Sequence, residues 1–347
     1  MLPNYLSVSG KTRQNDLDVA FTISIQPGAS TTHAGIQGAN ALDGAVARAP
    51  GNQENRQAFL TFGDASWGSI KLGKDLGIFA SDAILNDMTL LGVGNGAGGL
   101  AGNTTTTGRI GNGYIYADWK AQAAYTSPNF NGFSFTAGVT QAWNMQGADQ
   151  VTTTGAGTSS TRGGKNPAFE GKASYAFAAD AVTGKVWASG ISQKVQDIVT
   201  SAGALGSAGT GTTDFTASAW DIGGNVTAAG FGLTAYYFEG KGMGSRLQLS
   251  GGAAANGTKL DSDGYYVQGT YALPGVGTKL GVSYGESNMD GVTAATNSSS
   301  EMWTVGAYHP LTKHLNLVAE YSAEKGELAK ATTSKNDTMS LGAILFF

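Results

Sequence analysis

The sequence predicts an all-β protein, a transmembrane antiparallel barrel of at least fifteen strands. Three observations predict it. Apolar and polar residues alternate with period two almost throughout the 347 residues, which marks strands with two unlike faces. The connections between these strands are alternately short and long. No run approaches ~18 uninterrupted apolar residues, so a membrane-spanning helix is excluded, whereas spanning strands need only ~9–11 residues. Composition removes other classes. There is no cysteine, and charged residues make up 13% of the chain. A disulfide scaffold, a thiolate metal site and a thiol nucleophile are therefore excluded. Three histidines are too few for a multi-histidine metal site, so no cofactor is expected. A net charge of −4 with both signs dispersed presents no basic field for nucleic acid.

Fifteen strand-sized runs follow one another, near 4–11, 18–26, 55–63, 68–74, 114–126, 132–142, 169–177, 183–195, 214–228, 231–237, 261–272, 279–285, 301–309, 315–324 and 337–347. Leu280, Val282 and Tyr284 oppose Lys279, Gly281 and Ser283; Phe169, Ala173, Tyr175 and Phe177 oppose Glu170, Lys172 and Ser174. Short connections include 63–67, 127–131, 179–181 and 309–314. Long Gly/Asn/Thr/Ser-rich segments fall near 27–53, 75–113, 143–168, 196–213, 240–260, 287–300 and 325–336. A spanning barrel has short turns on one rim and long loops on the other. A soluble sandwich or solenoid also alternates but does not need this rule. Aromatic residues at Tyr114–Tyr116, Tyr236–Phe238, Tyr265–Tyr266 and Trp303 are expected at strand ends, where the membrane interfaces would lie. The one helix-like stretch is Ser81 to Leu91. The final strand, Met339 to Phe347, carries Met339, Leu341, Ala343, Leu345 and Phe347 on one face, as an outer-membrane barrel strand would.

Four segments resemble the Gram-negative trimeric porin family. They are Arg56 to Gly63 followed by Trp67 to Asp75, the turn Tyr125-Thr-Ser-Pro-Asn-Phe-Asn-Gly-Phe133, the hairpin Leu311 to Tyr321, and the terminal Phe347. The family usually has arginine where Lys74 and His314 stand. The resemblance implies one barrel domain over 1–347, with sixteen strands, so the first strand and a signal peptide are expected to precede Met1. It also implies an outer-membrane channel for passive diffusion of small hydrophilic solutes and ions, not an enzyme. The expected partners are two further copies in a homotrimer, outer-membrane lipid and lipopolysaccharide.

In the family a long third loop folds inward and narrows the pore. Here it corresponds to about 76–112. Its front half, Gly77 to Leu91, is too apolar for a solvated loop. Asp82 and Asp87 are expected to project acid into the lumen, with N-capping of a short helix by Ser81 or Asp82 as the alternative. The facing wall is expected to be basic: Lys11, Arg13, Arg56, Lys74 and Arg109. Five basic groups against two acidic ones predict a mild anion preference. A channel preferring organic anions is the alternative reading. A barrel lipase would need a serine beside His33, His309 or His314. Gly94 to Gly99 fits a nucleotide-loop spacing but lacks the surrounding strand and helix.

Overall fold

The computed structural model describes residues 4–27, 53–93, 105–143, 166–199, 212–253 and 258–347. His33, Gly94 to Gly99 and large parts of three predicted long connections lie outside the described residues. The strands are β1 (Leu6–Gln14), β2 (Leu17–Pro27), the two-residue β3 (Gln53–Glu54), β4 (Ala58–Asp64), β5 (Gly68–Leu76), β6 (Trp119–Thr126), β7 (Phe133–Thr140) and β8 (Ala168–Ala179). They continue as β9 (Val182–Val199), β10 (Thr212–Ala228), β11 (Phe231–Lys241), β12 (Asp261–Ala272), β13 (Lys279–Met289), β14 (Ser298–Pro310), β15 (Leu315–Leu328) and β16 (Ala331–Leu345). All pairings are antiparallel between neighbours in one sheet, β3 lying off the path beside β2. No pairing joins β1 to β16 among the described residues.

The period-two pattern sorts residues onto two faces. Ile222, Leu233, Val282, Trp303, Val305, Met339 and Leu341 stand exposed on the outer face. Asp221, Thr234, Gln268, Ser283, Thr304 and Ser322, each one step out of phase, are buried on the inner face. An apolar exterior and a polar interior suit lipid outside and water inside.

Two expectations are corrected. Residues 114–118 are not strand; β6 begins at Trp119. Tyr114, Ile115 and Tyr116 belong instead to a buried stretch inside the sheet. The aromatic residues divide by face rather than gathering at strand ends. Tyr114, Tyr236 and Tyr266 pack together inside, with ring centroids 5.5–6.4 Å apart, and Phe238 is fully buried beside Tyr236. Second, the long segment expected at 325–336 is a two-residue turn, Ala329-Lys330, between two long strands.

The one substantial core is internal. Phe79, Ala83, Ile84, Ile110 and Ile115 pack against Trp187, Ile191, Ala219, Phe238, Met243 and Leu249. The first five lie between β5 and β6, in a connection laid along the inner face. Strand glycines make room for it. A Cβ at Gly281 would stand 2.6 Å from Met88 Sδ, and one at Gly342 would stand 2.6 Å from a Val93 methyl. These are approaches that no larger residue allows without a shift.

Candidate functional site

The connection between β5 and β6 leaves the wall at Gly77, whose N–H donates to the Asp118 carbonyl at 2.7 Å, so its two ends close on each other. The first anchor is Glu170 of β8. One of its oxygens accepts from the N–H groups of Ile78 and Phe79 at 2.7 and 2.8 Å. The other accepts from Lys120 Nζ at 2.6 Å and from the Thr140 hydroxyl at 2.7 Å.

The helix-like stretch forms α1 (Ser81–Asn86) and a 3-10 turn (Met88–Leu91). The N-cap position is Ala80, which has no side-chain cap, so neither Ser81 nor Asp82 serves as expected. The Ser81 hydroxyl donates to the Ile78 carbonyl instead. Four residues of α1 are buried, and Leu85 is 55% exposed.

Neither acid of this loop projects into open lumen; both are buried. Asp82 is held by Lys172 at 3.1 Å and Lys185 at 2.5 Å, both from the inner wall. Burial opposes its ionisation, but the two lysines together outweigh burial and hold its pKa below the ordinary carboxylate value. Asp87 caps the 3-10 turn by accepting from the Thr89 N–H at 2.9 Å. It also accepts from the Arg109 N–H at 3.2 Å and the Tyr114 hydroxyl at 2.9 Å. Burial, then the Asp87 charge, pushes the Tyr114 phenol far up, so it remains a donor.

The five basic positions disperse. Lys11 and Arg13 lie on the inner face of β1, opposite Ala20 and Asp18. Arg13 is at the rim, paired at 2.9 Å with both Asp18 and Asp64. Arg56 precedes β4 and is buried, with its guanidinium 5.7 Å from the Trp119 ring centroid. Lys74 has the parity of Ile70 and the exposed Leu72, which places it on the outer set; Lys71 and Asp75, which pair with each other, face inward. Arg109 is fully buried. Its guanidinium donates to Ser283 and to the Met302 carbonyl, which ties the returning loop to β13 and β14.

Sequence reasoning missed Lys71, Lys120, Glu170, Lys172 and Lys185. Their polar-face parity was the available signal. It also missed a second inward connection, between β11 and β12. There the Arg246 carbonyl accepts from the Tyr116 N–H at 2.9 Å, and the Gln248 amide donates to the Ala117 carbonyl at 3.0 Å. Met243 and Leu249 of the same segment are buried in the internal core.

An outer face fit for lipid, a charged inner face and a loop laid along that inner face together define a membrane channel of the β-barrel class. A model of the Gram-negative porin family matches residues 5–327, and the chain belongs to that family. It is therefore an outer-membrane channel for passive diffusion. Among solved structures it is similar to the outer membrane channel DcaP of Acinetobacter baumannii, with a TM-score of 0.70 and 16% identity, over 99% of this chain and 85% of that one. Salmonella typhi OmpF, in complex with daunomycin, aligns with a TM-score of 0.58 and 16% identity, over 99% and 90%. A trimer form of OmpT, an outer membrane protein of Vibrio cholerae, aligns with a TM-score of 0.57 and 13% identity, over 99% and 91%. These likenesses give the fold, a barrel. No match was found among curated protein sequences.

Proposed function

We propose that the loop of about 76–112 is the constriction of a single barrel domain, and that inward lysines give the pore a mild anion preference. The observation that carries this is the pair Lys172 and Lys185 on the single carboxylate Asp82. Lys11, on the inner face of β1, and Lys71, balanced by Asp75, complete the set. Within this set four lysines face two carboxylates, Asp82 and Asp75. Charge in a narrow, low-dielectric-walled passage acts on ions more strongly than in open water. The zero-current potential under a salt gradient tests the reading. Anion preference is expected, and it should shrink as salt rises. A cation-selective channel would overturn it.

The assembly proposed is a homotrimer embedded in outer-membrane lipid and lipopolysaccharide, passing small hydrophilic solutes and ions. Membership of the family supports it, as does the trimer form of one similar structure. Leu6, Val8, Met339 and Leu341 near the two chain ends leave apolar surface exposed, as an interface requires. Detergent-corrected mass is the test, and a stable monomer would refute the trimer.

A further inference from the structure

Between the inward loop and the inner wall, on the side of the short turns, lies a cavity of about 530 Å³. Its lining is divided. The loop contributes Leu85, Leu90 and Leu91, three aliphatic side chains, and the wall adds Val318 and Ile344. The wall contributes Lys279, Tyr308 and Asn316.

Lys279 is the cation of this cavity. It is exposed, and its Nζ lies 5.2 Å from the Tyr308 ring centroid. No carboxylate pairs with it among the described residues. The acid in the lining, Asp87, is buried with both oxygens occupied by donors from the loop itself. The Tyr308 hydroxyl is likewise committed, donating to Glu320 at 2.7 Å. The cavity therefore offers, at one side, an ammonium that no carboxylate pairs among the described residues and, at the other, an aliphatic surface.

We propose that this cavity binds a small organic monoanion with an apolar body, an aromatic or medium-chain carboxylate, during passage through the pore. The carboxylate meets Lys279, the body lies on Leu85, Leu90 and Leu91, and the aromatic face of Tyr308 closes the charged end. The size is that of a small-molecule site. A chloride ion gains from the lysine alone and an uncharged solute from the leucines alone, so the arrangement discriminates by requiring both. This inference rests on the channel reading and adds a site to it.

The probe is benzoate, compared with acetate, in single-channel recordings of the full protein in a planar bilayer. Benzoate added on the short-turn side is expected to interrupt chloride current in a concentration-dependent way, and acetate at equal concentration to do so far less. Lys279→Gln should weaken the benzoate effect about tenfold, as loss of a charge-assisted contact does. Leu90→Ser should weaken it about fivefold through lost apolar burial while leaving acetate unaffected. For Leu90→Ser the readout is the benzoate-to-acetate ratio within the variant; for Lys279→Gln it is the benzoate concentration that halves the variant's own chloride current, so altered conductance does not obscure either. Chloride conductance with equal effects of benzoate and acetate would remove the site and leave the channel. So would a benzoate blocking concentration in Lys279→Gln equal to that of the unchanged protein. Absence of chloride conductance in the unchanged protein would remove the channel reading and the site with it.

Discussion

Lys120 and Glu170 meet at 2.6 Å with neither side chain exposed at all. A buried ion pair survives desolvation only when further hydrogen bonds complete it. Glu170 has three more donors, the Ile78 and Phe79 N–H groups and the Thr140 hydroxyl. Lys120 adds the Gln248 carbonyl oxygen at 2.8 Å. The pair thus joins the start of the inward loop, β6, β7, β8 and the second inward connection. Removing one partner leaves the other charge buried, at a cost of about 3–5 kcal/mol. Glu170→Gln is expected to lower the unfolding temperature and raise open-channel current noise. Lys120→Met should do so less, because Glu170 keeps its other donors. Two variants indistinguishable from the unchanged protein would refute this role.

Asp82 carries the pH dependence of loop seating. Its pKa is depressed when the loop is in place, since Lys172 and Lys185 outweigh burial. A carboxylate depressed on folding contributes fully above its ordinary pKa. The contribution declines as pH falls through the ordinary value and is gone below the folded one. Asp82→Asn also leaves two inward lysines without their counterion. Anion selectivity at neutral pH should rise in this variant, and at a pH below the ordinary carboxylate range, where Asp82 is protonated in the unchanged protein too, the two proteins should converge. Zero-current potentials of both proteins across pH check this. Equal potentials at neutral pH would show that the Asp82 charge is not sensed by permeating ions.

The turn between β15 and β16 stores removable strain. Ala329 and Lys330 both have positive φ, 52° and 66°, a geometry that two-residue hairpins require and that Asn-Gly adopts readily. Alanine and lysine in this region each cost roughly 1–2 kcal/mol. Replacing the pair by Asn-Gly is expected to raise the temperature at which the barrel loses its heat-modifiable migration on gels. No rise would mean that the turn is not formed as described.

That turn also shows where the sequence was hard to read. Period two is visible where one face meets lipid and the other water. The end of β15 is half-buried on both faces and the start of β16 is exposed on both, so Lys325 to Asn336 lack the alternation and resemble a loop. Tyr114-Ile115-Tyr116 erred in the other direction. It alternates in chemistry, but all three side chains are buried within the internal core. The inward course of the loop was legible from the apolar character of Gly77 to Leu91. The identity of its partners was not. Glu170 lies 92 residues from Ile78 and Lys185 lies 103 from Asp82, and no local pattern encodes pairings at such separations. Lys74 enters the basic set only through its place in a motif; its parity with Leu72 puts it on the outer set, and Lys71 is the inward lysine of that strand.

This parity makes a sharp prediction, because the chain has no cysteine of its own. Single cysteines can therefore be placed at Lys11, Lys71 and Lys74 and treated with a charged, water-soluble thiol reagent while current is recorded. Side chains of one strand alternate between faces, so Lys71 and Lys74, three positions apart, stand on opposite ones. Lys11→Cys and Lys71→Cys are expected to react quickly and to lose current when a sulfonate-bearing reagent attaches, since its bulk and negative charge enter the passage. Lys74→Cys is expected to react slowly and to keep its current, because its thiol faces the lipid side, where an ionic reagent does not partition. Neutralising the same residues to glutamine should show the same division: Lys11→Gln and Lys71→Gln move selectivity toward cations, and Lys74→Gln does not. If the Lys74→Cys channel is blocked as fast as Lys11→Cys, the faces of β5 are the reverse of those described. Lys74 then joins the pore wall and Lys71 leaves it.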